Sequence, residues 1–282
     1  LVSKIANYLH YPESFFYEPF EIYPAPMQFY RKHKTLPKRF AKSIEASING
    51  YRLHISKLLK SAEIDFKEIP LCDLDEFESA SEVARAVRQY LGLPKGVVKN
   101  IIEILEELGI VVVPFNAGTR LFSGVVSQVI NTSNYIILVN SQMPPDRLRW
   151  TLAHELGHLI MHLLPTKTME EEADEFAGEF LMPLEELKYD LENPSVERLA
   201  ELKRYYKVSM SAIVTSAKKR EILSEWKARS LWVDMAGEGI TRTKEPLLNL
   251  EQETPTLLKE LIDYHLDDLD YSVDDLSELL GL

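Results

Sequence analysis

Residues 151–162 read TLAHELGHLIMH, a stretch that carries three histidines and a glutamate. If it is helical, residues four apart share a face one turn up the axis, so His154 and His158 can turn their imidazoles to a single ion. Glu155 stands beside the first of them. This is the H-E-x-x-H pattern, in which two imidazoles hold zinc and the carboxylate acts as general base in hydrolysis. A buried helix that merely contains histidine accounts poorly for two rings, the acid between them and Gly157, because glycine inside a helix costs about 1 kcal/mol against alanine.

Catalytic zinc takes three protein ligands and keeps a fourth position open, so another donor must come from elsewhere in the chain. The segment MEEEADEFAGEFLMP, residues 169–183, offers acids on a second helix just beyond Pro165, where the first is expected to end. Ala173, Phe176, Ala177, Phe180 and Leu181 form its inward stripe. Glu170 and Asp174 border that stripe one turn apart, which lets the first bind metal while the second orients a ligand histidine through its other nitrogen. Glu171 points elsewhere. Glu172 is the alternative ligand, and the remaining acids complement the positive helix start. His162 lies on the motif face one turn beyond His158. It would have to reach past its neighbour to bind the ion, which favours a supporting or substrate contact. His162, Tyr135 and Arg149 are the candidates for stabilising an oxyanion.

These residues need a scaffold. IVVVPF at 110–115 gives a strand, and SGVVSQVINTSNYIILVN at 123–140 reads as two more, joined as a hairpin across Asn131 to Asn134. A strand pair thus runs into the motif helix, with Pro144 or Pro145 at its start. Upstream, helices are expected from Phe40 to Leu59, from Ser81 to Leu91 behind a Ser79 or Ser81 cap, and from Gly96 to Leu108 with Gly109 just past the end. Ile5, Leu9, Phe15 and Phe16 around Pro12 read as one short helix turning into another, followed by a proline- and aromatic-rich connector over 17–39. After Pro183 the periodicity is helical again, and the last 22 residues carry seven acids and no base beside a stripe of Leu261, Ile262, Leu266 and Leu269. The expected fold class is α+β, mostly helical with a small sheet. The expected domains are 1–38, 39–190 and 191–282.

Composition narrows the setting. The 282 residues are 45% hydrophobic, enough for one or two cores. Cys72 is the only cysteine, which excludes a disulfide framework and multi-cysteine zinc sites, and a reducing cytoplasmic location is expected. No run approaches the roughly 20 apolar residues of a membrane helix, and a secretory leader pattern is lacking. The chain begins at Leu1, so a longer parent chain is expected. The net charge of −12 opposes nucleic-acid binding by the whole molecule, yet residues 1–60 hold 10 Lys and Arg against 4 Asp and Glu.

RWTLAHELGHLIMH followed by EEEADEFAGEFLMP resembles the ImmA/IrrE-type zinc metallo-endopeptidases. The resemblance extends over about residues 1–230. In that family the third ligand is the glutamate of an E-x-x-[AC]-[DN] element that leads into M-P, which points to Glu170. The resemblance implies a zincin-like domain with Zn2+ held by His154, His158 and Glu170, and Glu155 as the catalytic base. Residues 1–16 are similar to the last helices of a Cro/repressor-type (XRE) helix-turn-helix domain. That implies a regulator which cleaves a transcriptional repressor or antitoxin, with DNA a further partner through the helix-turn-helix. The alternative is a DNA-binding regulator whose zinc fold senses or docks without turnover.

Overall fold

The computed structural model describes residues 1–9, 12–17, 36–93, 95–162, 164, 166–241 and 244–282. Most of the expected connector, residues 18–35, lies outside them, as does Pro165. The chain opens with α1 (Val2–Leu9) and a 3-10 turn at Glu13–Tyr17, the helix pair expected there. Ile44, Ile48, Ile55 and Leu59 recur at helical spacing and make one buried stripe of α2 (Lys38–Ala62). Next come α3 (Ala80–Tyr90), capped by the Ser79 hydroxyl, and α4 (Ile101–Glu107).

The start of α4 corrects the sequence expectation. Gly96 has φ +79, a left-handed conformation that no helix interior uses. Its N–H donates to Glu186 and its carbonyl accepts from Arg88, so it belongs to a turn. The helix begins four residues past that turn, where the Asn100 side chain accepts from the Ile102 and Glu103 N–H groups.

Three strands follow: β1 (Ile110–Phe115), β2 (Gly124–Gln128) and β3 (Tyr135–Asn140). The sheet order is β1-β3-β2, with β1 parallel to β3 and β2 antiparallel to it, the latter pair being the expected hairpin. Alternate side chains go to opposite faces. Ile110, Val112, Val126, Ile137 and Val139 join the core beneath the motif helix, while Val111, Val113, Val125, Ile136 and Leu138 pack under α2. Both faces are covered, which is why these strands read as nearly continuous apolar runs.

The motif helix is α5 (Pro145–Met161) and the acidic one is α6 (Met169–Leu181). Beyond them lie α7 (Leu184–Asp190), α8 (Val196–Tyr206), α9 (Met210–Lys219), α10 (Glu225–Gly237), α11 (Leu257–Asp267) and α12 (Val273–Leu280). The acidic end of the chain sits on the far side of the sheet: Leu257, Leu261, Leu276 and Leu280 bury themselves against the α2 layer. Carboxylates tie this return path to helix starts, whose unpaired N–H groups need acceptors. Glu245 accepts from Met210 and Ser211, Glu253 from Ile101, and Glu106 from Thr256 and Leu257. Glu253 also pairs with the buried Arg149, whose other arm donates to the Val98 carbonyl. Arg149 is therefore a tie between α5, the segment before α4 and the C-terminal segment, not the oxyanion donor considered from sequence. No helix among the described residues is long and apolar enough to cross a membrane.

Candidate metal centre

Helix α5 is buried almost all round, between the sheet and α6. Close approach of α6 depends on Gly157: a methyl group there would lie 2.9 Å from Phe176 Cδ1. Ala173 and Ala177 keep the facing side of α6 equally small. The unfavourable glycine of the motif is thereby explained by packing, and the packing brings the first turn of α6 alongside the middle of α5.

The two helices place His154, His158 and Glu170 together, each offering an atom within 4.8 Å of the others. The two Nε2 atoms are 3.0 Å apart, and the Glu170 oxygens lie 3.5 Å from that of His154 and 3.3 Å from that of His158. Tetrahedral zinc with bonds of about 2.0–2.1 Å sets its ligand atoms about 3.3–3.4 Å from one another. The donor set and its spacing fit that ion. Both rings are buried, whereas the Glu170 side chain is 46% exposed, so the cluster opens towards solvent on the carboxylate side.

Further side chains support the rings. Asp174 Oδ1 lies 2.9 Å from His154 Nδ1, the orienting contact anticipated from its position one turn after Glu170. His158 Nδ1 is 3.0 Å from His162 Nδ1, and the other nitrogen of His162 is 2.9 Å from Glu172 Oε2. Glu172, the alternative ligand, is thus engaged by His162 and stands outside the three-residue cluster, as does His162 itself. Glu171 is exposed. Glu155 is buried one residue along from His154. Tyr135 lies at the start of β3, paired with Ile110 and Gln128 and half-buried. The bond between His162 and Glu172 escaped the sequence reading, although the four-residue step from His158 to His162 was its signal.

The electrostatics agree with a cation site. Hydrogen bonding to His154, then to His158, holds the Glu170 carboxyl well below the usual carboxylate range, against the opposing effect of burial. Burial is the main reason the His162 ring is pushed down, which favours its neutral form, while Glu172 pulls the other way.

Two features flank the cluster. A cavity of about 1030 Å³ is lined by Ser123, Trp150, Thr151, Glu171, Asp174 and Lys219 among others, so it begins beside the residue that holds His154. Strand β2 is an edge of the sheet and runs along α5, with Gly124 against Thr151. Asn140 N–H donates to Ser123 and Val129 N–H to Asn134, so the odd residues of β2 turn their backbone groups inward and Gly124 and Val126 turn theirs outward. Arg52 takes the outward carbonyl of Gln128.

Two buried imidazoles and a carboxylate on adjoining helices, beside a small sheet, define a domain of metallopeptidase type with a His–His–Glu site. Residues 105–218 match the family model described as Peptidase_M78, the IrrE N-terminal-like domain. This bears out the ImmA/IrrE-type resemblance over that stretch. No curated protein matches the chain.

Proposed function

We propose that the protein is a zinc-dependent endopeptidase in which His154, His158 and Glu170 hold the ion and Glu155 is the general base. The observation that carries this reading is the convergence of three electron-pair donors from two helices at the spacing of a zinc coordination shell. Bound there, zinc supplies Lewis acidity, which acidifies water and polarises a carbonyl.

The residues of the chain do the rest. The Glu155 carboxylate takes a proton from the attacking water as its oxygen bonds to the scissile carbonyl carbon. It then delivers that proton to the amide nitrogen as the C–N bond breaks. Burial of Glu155 keeps its proton exchange directed at the reacting atoms rather than at solvent. An extended peptide is positioned by the outward N–H and C=O groups of Gly124 and Val126, and pairing ends at Gln128, where Arg52 already occupies the carbonyl. A substrate that must lie extended along an edge strand is a protein segment, and a repressor or antitoxin is the class proposed.

The test is incubation of the zinc-loaded chain with repressor-like proteins encoded beside it, with cleavage mapped by mass spectrometry. Glu155→Gln should keep zinc and lose about 10²–10⁴-fold in rate. Undiminished cleavage by a zinc-bound Glu155→Gln protein would remove the general-base assignment.

A further inference from the structure

Glu172 is the alternative ligand and His162 the supporting contact expected from sequence, and the structure joins them in a chain that ends on His158. Glu172 Oε2 lies 2.9 Å from His162 Nε2, and His162 Nδ1 lies 3.0 Å from His158 Nδ1. The proton positions in this chain follow from chemistry. An ionised carboxylate only accepts, so His162 Nε2 must carry a proton and donate it to Glu172. A neutral His162 ring then has a bare Nδ1, which can only accept. His158 must therefore donate from Nδ1, and a neutral His158 is left with its lone pair on Nε2.

That is the atom 3.0 Å from His154 Nε2 and 3.3 Å from Glu170 Oε1. Asp174 imposes the same tautomer on His154 directly, through 2.9 Å to Nδ1. We propose that Glu172 and His162 are positioning residues that act through His158, fixing its tautomer and ring orientation so that Nε2 presents a lone pair to the cation. The two ligand histidines are then held by different means. His154 has a carboxylate next to it, whereas His158 has a carboxylate one imidazole away.

The location of the relay makes its role specific. His162 is the first residue after α5, where its backbone N–H donates to the His158 carbonyl, and it is buried. Glu172 sits in the first turn of α6, two residues after Glu170. The relay therefore clamps the C-terminal end of the motif helix to the same turn that delivers the carboxylate ligand. The partners of a ligand histidine matter to metal binding by about 10–100-fold.

This inference rests on the assignment of His154, His158 and Glu170 as ligands, and the experiment separates the two. Zinc affinity of the full chain is measured by competition with a chromophoric chelator, for the parent and for His162→Phe, His162→Gln and Glu172→Gln. The ring nitrogens of His158 are read by ¹⁵N NMR in the metal-free proteins. The relay predicts about a 10–100-fold loss of affinity for His162→Phe, with His158 no longer held in the Nδ1–H form. His162→Gln, which can still accept from His158 and donate to Glu172, should recover part of both, and Glu172→Gln should lose less than His162→Phe.

A parent that binds no zinc would overturn the ligand assignment and the relay together. Zinc binding by the parent, with the same affinity and the same His158 tautomer in His162→Phe and Glu172→Gln, would leave the ligands standing and overturn the relay alone. Should His162→Phe fail to fold, Glu172, whose side chain is 27% exposed, still gives a variant that tests the chain of donors.

Discussion

Two clusters of buried ionisable groups lie on α5, and they are solved in opposite ways. At its start, Asp146 accepts from Lys203 at 2.5 Å, Lys203 also reaches Glu245 at 3.1 Å, and the lysine is wholly buried. Further along, His154, His158 and His162 lie against Asp174, Glu170 and Glu172 of α6, with Lys219 3.9 Å from Asp174. The first cluster is balanced by a buried lysine of the chain itself. A buried carboxylate needs a counter-charge. The difference teaches that the first cluster is finished by folding, whereas the second, on the proposed function, is finished by a bound ion.

The strongest way to break this comparison is to remove the internal cation. Lys203→Met leaves Asp146 and Glu245 facing each other in the core, and unfolding in denaturant should show a loss of about 3–5 kcal/mol. Adding Asp146→Asn and Glu245→Gln should return part of it. Zinc affinity of any Lys203 variant that folds should stay near that of the parent, since Lys203 lies on α8 and meets α5 at Asp146, eight residues before His154. A large change in zinc affinity would show that the two clusters are coupled and the contrast false.

The converse manipulation acts on the other end. Because the unfolded chain cannot assemble the three ligands, free zinc at 100 times its dissociation constant should stabilise the native state by about 2.7 kcal/mol. A chelator should reverse that shift in melting temperature. Glu170→Gln should abolish most of it, while Lys203→Met should retain it on a lower baseline.

The same contrast separates what was legible in the sequence from what was not. His154, Glu155 and His158 lie within five residues of one helix, and Glu170 and Asp174 within five of another. Helical periodicity alone therefore placed each set on its face, and the inward stripe of α6 told which acids bordered the motif. The ties of the other cluster join positions 57 and 42 residues apart, and those of Arg149 to Glu253 and of Glu106 to Thr256 span more than 100. No local pattern marks such partners. Arg149 therefore stood as an oxyanion candidate, and the parallel pairing of β1 with β3 was equally beyond a reading of adjacent strands. Gly96 misled for a different reason: apolar residues on either side of it suggested helix, and its left-handed backbone became evident only in three dimensions.

A milder substitution tests whether the outer cluster depends on helix spacing. Gly157→Ala sets a methyl group 2.9 Å from Phe176 Cδ1, so Phe176 or the whole of α6 must move. Overpacking of this kind costs about 1–3 kcal/mol despite the better helix propensity of alanine. Because Glu170 rides on α6, zinc affinity should fall along with stability. Loss of stability with unchanged affinity would mean that Phe176 yields by itself and that the ligand spacing is set elsewhere.

The smallest effect concerns protons at the ion's position. In the metal-free protein, Glu170 is held below its ordinary range chiefly by hydrogen bonding to His154 and then to His158. A carboxyl with a depressed native pKa contributes stability that is present above the unfolded value of about 4.3 and is lost as pH falls through the native value. Stability of the metal-free parent minus that of Glu170→Gln should therefore be flat above about pH 5 and shrink as the solution is acidified further. With the side chain 46% exposed, solvent screening limits the difference to about 1 kcal/mol or less. A difference that grew on acidification would show that Glu170 is not engaged by the rings, and the outer cluster would then resemble an ordinary solvated acidic turn.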